Sequence, residues 1–272
     1  MTETMQASLP EAFAAARRDG RALLLPYLTA GLPDPASSPD LFAAMADAGA
    51  DGFEIGIPYS DPLMDGPVIH SAGLAALAAG TTFDRALRII EAVTSRTGLP
   101  VMVMTYANPV LRRGAVRFAE QIAAAGASGL IIADVPVDEA EMFATAASAS
   151  GVGLVVFAAP TTDDERLLRV VGSHPLFVYC VARLGVTGGD GEQGDSLARL
   201  AARLRPLGDV PLVAGVGIST PAQASAAARH VDGVIVGTAL VKRVLDAASP
   251  EEAAKALHAA VADLAAAVRS PV

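Results

Sequence analysis

Ala48-Gly49-Ala50-Asp51-Gly52 runs directly into Phe53-Glu54-Ile55-Gly56-Ile57, and the same order of residue types returns twice further along the chain. Ala125-Gly126-Ala127-Ser128-Gly129 leads into Leu130–Ala133, and His230-Val231-Asp232-Gly233 leads into Val234–Val236. Each time an Ala-rich amphipathic stretch stops at a polar or Gly residue and a short apolar run follows. That is the passage from a helix into a strand, with Gly suited to the left-handed turn after the helix.

Followed through the chain, the pattern predicts eight strands: Ala22–Leu28, Gly52–Gly56, Pro100–Met104, Gly129–Ala133, Gly153–Ala158, Phe177–Val181, Val210–Ala214 and Gly233–Val236. Helical patterns lie between them, among them Thr82–Arg96, Ala115–Ala125, Asp138–Ser148, Asp163–Gly172 and Leu197–Arg205. The strands are apolar throughout rather than alternating, as parallel strands covered on both faces are. Eight βα units in a chain of 272 residues match a (β/α)8 TIM barrel, one domain over 1–272 with a flexible tail at 1–8. An open doubly wound sheet is the alternative. It usually has fewer strands and carries a nucleotide fingerprint, and no G-x-G-x-x-G follows the first strand.

Most strand starts lie 23 to 33 residues apart, but Pro100 comes 48 residues after Gly52. The surplus falls between Pro58 and Thr82 and reads as a long loop. A second long loop, Ala182–Asp195, follows the sixth strand; its Gly-rich end is expected to form a mobile lid. Both extend from the C-terminal ends of strands, the face where barrels of this kind do chemistry.

Composition removes several classes of function. The net charge of −9 argues against nucleic acid and anionic membrane surfaces. The one Cys excludes an internal disulfide and fits a reducing cytoplasm. Met142–Thr162 is long and uncharged, yet Gly151, Gly153 and Pro160 interrupt it, so it reads as a helix end, a turn and a buried strand. Met-Thr-Glu-Thr at the start shows no signal peptide, and a soluble, cytoplasmic protein is expected. Only Lys242 and Lys255 are lysines, and both follow the eighth strand. Schiff-base chemistry, which needs a Lys at a strand end, is therefore disfavoured. His70, His174, His230 and His258 show no metal-ligand spacing, so no metal is expected. Cys180, inside an apolar strand, reads as a small buried hydrophobe rather than a nucleophile.

Carboxylates remain. If Phe53 and Ile55 face the helices, Glu54 points into the barrel mouth, where desolvation raises its pKa. Such a group both donates and accepts a proton near neutrality. The alternative is an ion pair with an Arg. Asp65 follows in Ser60-Asp61-Pro62-Leu63-Met64-Asp65-Gly66-Pro67, a turn-rich loop over the same mouth; for Asp61 and Asp65 plain turn chemistry is the rival reading. Gly215-Val216-Gly217-Ile218-Ser219 and Gly237-Thr238 follow the last two strands, where backbone N–H groups and a short helix hold phosphate in this fold. Tight βα turns explain either glycine pair alone.

These segments, with Pro26–Gly31, Tyr106-Ala107-Asn108-Pro109, Ala133-Asp134-Val135-Pro136 and Arg183–Gly188, make the chain similar to the α-subunit family of tryptophan synthase. The resemblance implies cofactor-free retro-aldol cleavage of indole-3-glycerol phosphate to indole and glyceraldehyde 3-phosphate. By the same resemblance Glu54 matches the acid/base and Asp65 the carboxylate beside the indole N–H. Tyr106 and Tyr179 match the substrate pocket, with Leu24 and Met104 as its apolar walls. Thr187 and Gly188 match the lid, and Gly217, Gly237 and Thr238 the phosphate ligands. The family works as an α2β2 heterotetramer whose β subunit carries pyridoxal phosphate and receives the indole; Asp61, Pro62 and Asn108 would face that partner. Val216 replaces the family's usual Phe, and Ala72-Gly73-Leu74 lacks polar residues often found there. A free-standing lyase and a non-catalytic barrel that binds a phosphorylated metabolite are the rival readings.

Overall fold

The computed structural model describes residues 8–181 and 194–269, with the side chains of 194 and 195 excepted. Eight parallel strands close a barrel in chain order: β1 (Leu23–Thr29), β2 (Phe53–Gly56), β3 (Val101–Thr105), β4 (Gly129–Ile132), β5 (Gly153–Ala158), β6 (Val178–Cys180), β7 (Leu212–Ala214) and β8 (Gly233–Val236). β8 returns to β1 through the pairs Leu23↔Gly233 to Pro26↔Val236, so no sheet edge is left open. Around it lie α1 (Leu9–Arg18), α2 (Ser38–Asp47), α3 (Pro67–Ala78), α4 (Phe83–Thr97), α5 (Ala107–Arg113) and α6 (Ala115–Ala124). α7 (Glu141–Ala149), α8 (Asp164–Gly172), α9 (Gly194–Leu204), α10 (Pro221–Ala228), α11 (Thr238–Asp246) and α12 (Pro250–Arg269) complete the layer. The fold is a TIM barrel, and each expected strand forms within two residues of its expected bounds.

Local chemistry places the helix ends. Ser8 accepts from Glu11 N–H in a capping box, Thr82 accepts from Arg85 N–H and Asp163 from Arg166 N–H. Ser8 thus caps α1; residues 1–7 of the tail expected over 1–8 lie outside the described residues. Gly49 takes φ +101° between α2 and β2, a conformation that costs an L side chain strain.

The repeated polar position has a structural job. Asp51, Ser128 and Asp232 each donate their N–H to the preceding strand, to Leu24, Val101 and Leu212 carbonyls at 2.8–2.9 Å. The side chains of Asp51 and Asp232 also accept the N–H of the same Leu24 and Leu212, at 2.9 and 2.7 Å. Arg21 lies 3.0 Å from Asp51 and Arg205 2.7 Å from Asp232. The N-terminal rim is therefore laced strand to strand.

Three expectations on elements need correction. The stretch Pro58–Thr82 is not one loop: its second half is α3, and His70 lies on that helix. α3 is apolar or small nearly all round, so no helical periodicity marks it. The helix expected over Asp138–Ser148 divides into a 3-10 turn, Val137–Glu139, and α7. The loop expected to reach Asp195 ends earlier, because α9 starts at Gly194.

Replacing Asp51→Ala removes the acceptor for Leu24 N–H and takes the closer of two carboxylates from Arg21, which is only 19% exposed. We expect a loss of about 2–3 kcal/mol, the scale of a charged hydrogen bond, read as a lower denaturant midpoint at unchanged slope.

Candidate active site

Phe53 packs its ring on Phe42 of α2, with centroids 5.3 Å apart, so β2 turns Phe53 and Ile55 outward and Glu54 into the barrel. Glu54 is 4% exposed, and its Oε2 has no hydrogen-bond partner. Among the described residues no arginine pairs with it. Burial, and second the negative charge of Asp65, push its pKa from the ordinary carboxyl range to about 8. At neutral pH Glu54 therefore carries a proton in a place where water cannot solvate the anion.

Asp65 lies on the loop between β2 and α3. Tyr106, which follows β3 and begins α5, donates its hydroxyl to Asp65 Oδ1 at 2.6 Å. The same phenol oxygen accepts Met64 N–H at 3.3 Å, so one side chain pins the loop at two points. Burial raises the pKa of Asp65, while the Tyr106 hydrogen bond and the charge of His70 act the other way. The result is an anchored, half-buried acid aimed at the same space as Glu54.

That space is a cavity of about 690 Å³ over the C-terminal ends of the strands. Glu54 and Asp65 form its acidic pole. Met104, Ile131, Phe157 and Ile235 supply apolar wall, and Tyr27 and Tyr179 stand beside the acids. Burial holds both phenols neutral, and the charge of Glu54 adds to the effect. Gly215 is required by close approach: a Cβ there would lie 2.0 Å from the Tyr179 hydroxyl oxygen.

At the other pole lie Gly215, Val216, Gly217, Gly237 and Thr238. Gly237 precedes α11 and Thr238 opens it, so free backbone N–H groups and the positive end of the helix face this part of the cavity. Beyond the Gly215–Gly217 wall a second cleft of about 570 Å³ carries Lys242 and Arg243, with Asp246 holding Lys242 at 2.8 Å. The arrangement puts glycine backbone and a helix start, an apolar wall, and a protonated acid with a second carboxyl around one cavity.

Glu54, Asp65, Met104, Tyr179, Gly217, Gly237 and Thr238 all border this one cavity. Tyr106 does not line it; it stands behind Asp65 and acts through it. Leu24 is a second correction. It is fully buried and an odd number of residues from Tyr27, so its side chain faces the helices while that of Tyr27 faces the cavity. The pairing of Tyr27 with Glu54 across β1 and β2 is what puts Tyr27 on the cavity side. Ile131, Val135, Phe157 and Arg166 are further lining residues the sequence reading missed. Arg166 comes with its charge countered, since Asp138 pairs with both Arg166 and Arg169. Thr187 and Gly188, expected in the lid, lie outside the described residues.

Asp61 and Asn108 are exposed, and Pro62 is half-buried. Ser60 donates to Asp61 at 2.5 Å, and Asn108 Nδ2 donates to the Tyr59 hydroxyl at 3.1 Å, tying α5 to the β2 loop. Cys180 is fully buried and its thiol is pushed up to about 12 by burial, which leaves it inert as a nucleophile. Among the described residues no three His, Cys, Asp or Glu side chains converge as a metal site, and no helix is long and apolar enough to cross a membrane.

Known proteins share this architecture and sequence. A chain from Salinispora arenicola named tryptophan synthase alpha chain is 45% identical over 260 residues, covering 96% of this chain and 97% of that one. Its namesake from Streptomyces coelicolor is 40% identical over 261 residues, 96% of each chain. A chain in the structure of tryptophan synthase from Mycobacterium tuberculosis superposes with a TM-score of 0.86 at 38% identity, covering 97% of this chain and 99% of that one. The sequence pattern of the tryptophan synthase alpha chain family matches residues 13–269, and the chain belongs to that family.

Proposed function

We propose that the chain cleaves indole-3-glycerol phosphate to indole and glyceraldehyde 3-phosphate, and that it does so without a cofactor. The observation that carries this reading is Glu54: a carboxyl that is buried, uncompensated and protonated at neutral pH, with Asp65 beside it. Releasing indole requires a proton at ring carbon C3 and loss of one from the hydroxyl on the adjacent side-chain carbon. Glu54 gives the first. The C3–side-chain bond then breaks, its electron pair returning to the ring as the hydroxyl becomes the aldehyde. Glu54 takes the second proton back, so the enzyme ends as it began.

Protonation at C3 makes the ring N–H cationic, and the carboxylate of Asp65 stabilises that charge. Tyr106 holds Asp65 in place for the purpose. Gly217, Gly237 and Thr238 bind the phosphate through backbone and hydroxyl groups. Tyr179, Tyr27 and Met104 enclose the ring, and Thr187 and Gly188 belong to the lid that closes over it. Indole passes to a β subunit, which carries pyridoxal phosphate, in an α2β2 assembly of the cytoplasm. Asp61, Pro62 and Asn108 face that partner.

Glu54→Gln keeps the shape and loses the proton. We expect a folded protein that binds substrate but has lost at least about a hundredfold in kcat, measured by indole release. In the parent chain, kcat falls as pH rises through about 8, because the acid form of Glu54 is then lost. Stability follows the same proton. The folded state holds it more tightly than the unfolded chain, so stability declines between the ordinary carboxyl range and pH 8. Glu54→Gln therefore melts higher than the parent at pH 9 and at the same temperature near pH 4; equal melting at pH 9 contradicts the assignment.

Asp65→Asn lowers kcat by about a hundredfold with little change in KM, the mark of charge stabilised only in the transition state. Tyr106→Phe, which frees Asp65, lowers kcat by about tenfold. The isolated chain turns over slowly and accelerates sharply when the β subunit is added. Fast turnover that ignores the partner points instead to a free-standing lyase.

A further inference from the structure

Neighbouring strands bring Glu54, Tyr27 and Gly237 to one level of the barrel. Tyr27 of β1 is paired with Glu54 of β2. Pro26 is paired with Val236 of β8, so one residue further Tyr27 stands level with Gly237. All three border the main cavity. Around its wall the order is therefore acid, phenol and glycine backbone.

The Tyr27 side chain spans that order. A Cβ on Gly237 would lie 3.2 Å from its Cδ1, and a Cβ on Gly56 2.3 Å from its hydroxyl oxygen. The ring thus starts against the end of β8, and its hydroxyl fills the place of a side chain at 56. Gly56 faces the same way as Glu54, two residues before it and deeper in the barrel. The hydroxyl accordingly stands on the mouth side of the acid.

Behind it is a brace. The hydroxyls of Tyr27 and Thr29 share a hydrogen bond of 3.3 Å, and Thr29, 2% exposed, is the one partner of Tyr27 among the described residues. Thr29 does not line the cavity, whereas Tyr27 does. A phenol both donates and accepts, so the bond to Thr29 sets its direction and uses one of these capacities. The other is left for the cavity, and burial keeps the phenol un-ionised and able to donate.

Indole-3-glycerol phosphate carries its groups in the matching sequence. The carbon next to the ring bears the hydroxyl that reacts, the next carbon bears a hydroxyl that cleavage leaves intact, and the phosphate follows. Glu54 serves the first hydroxyl and the backbone at Gly237 the phosphate, which sets the second hydroxyl opposite Tyr27. We propose that the Tyr27 hydroxyl, braced by Thr29, hydrogen-bonds this second hydroxyl and selects a chain hydroxylated at that carbon. The inference rests on the reading of the chain as a lyase for this substrate and adds a specificity residue for the middle of it.

The test is a cycle of two proteins and two ligands. Kd is measured by calorimetry on Glu54→Gln, which binds without turnover, and on Glu54→Gln with Tyr27→Phe. The ligands are indole-3-glycerol phosphate and its analogue with hydrogen in place of the second hydroxyl. On Glu54→Gln the analogue is expected to bind at least about tenfold more weakly, because it leaves a buried polar group unpaired. With Tyr27→Phe added, the diol weakens by a similar factor and the two ligands come within about twofold of each other. A merely structural role weakens both ligands alike; that result, or an unchanged Kd for the diol, overturns the proposal. Thr29→Val keeps the phenol and removes its brace, and is expected to shrink the preference for the diol by about threefold. If thermal melts show Tyr27→Phe unfolded at the assay temperature, Thr29→Val decides alone, and an unchanged preference there overturns the proposal. Indole release by the parent chain is followed in parallel. Preference for the diol that depends on Tyr27, without indole release, leaves the hydroxyl site standing and sinks the lyase reading. Indole release with equal losses for both ligands does the reverse, and a folded Glu54→Gln that binds neither ligand overturns both.

Discussion

Among the described residues Glu54 is buried without a counter-charge, and the terms of that burial are imposed on everything around it. A carboxyl keeps its proton at neutral pH only while no cation comes close. The groups nearest it comply: Tyr27 and Tyr179 are neutral phenols, and Asp65 adds negative charge. The same condition explains how an anionic substrate is accommodated. Gly217, Gly237 and the start of α11 offer partial positive charge from the backbone, whereas Lys242 and Arg243 stand beyond the Gly215–Gly217 wall. A lysine inside the cavity would attract phosphate and at the same time strip Glu54 of the proton that the proposed reaction spends first.

The two rims of the barrel divide the work. At the N-terminal rim Asp51, Ser128 and Asp232 lace β2, β4 and β8 each to the strand before it, and the two acids are satisfied by N–H groups and arginines. At the C-terminal rim polar groups are left wanting, with Glu54 Oε2 as the clearest case. Stability is concentrated where there is no chemistry, which lets the other end hold an acid that weakens the fold above neutral pH.

How much of this was legible in the sequence follows from symmetry. The eight strands were, because Gly and Asp punctuate the entries to several of them. Glu54 was too, since a charge inside an apolar strand marks which face turns inward. β1 carries no such mark: Leu23 to Leu28 is apolar on both faces, and periodicity cannot say whether Leu24 or Tyr27 meets the cavity. The pairing Tyr27↔Glu54 settles it. α3 escaped because its exposed face, with Leu74 and Ala78, is nearly as apolar as its buried one, and the position of Tyr106 behind Asp65 depends on a loop returning across the mouth. Neither fact is local in the chain.

Cys180 gives the molecule a clock. It is the chain's single thiol, paired through β6 with Ala158 on one side and Ala214 on the other, and it is sealed from solvent. Tyr179 faces the cavity, so Cys180 beside it faces the helix layer, and an alkylating reagent reaches it only when that layer lifts from the barrel. The rate at which the thiol disappears therefore counts partings of helix from barrel. In a chain whose buried acid trades stability for protonation, that one sulfur reports how often the trade lets the two layers come apart.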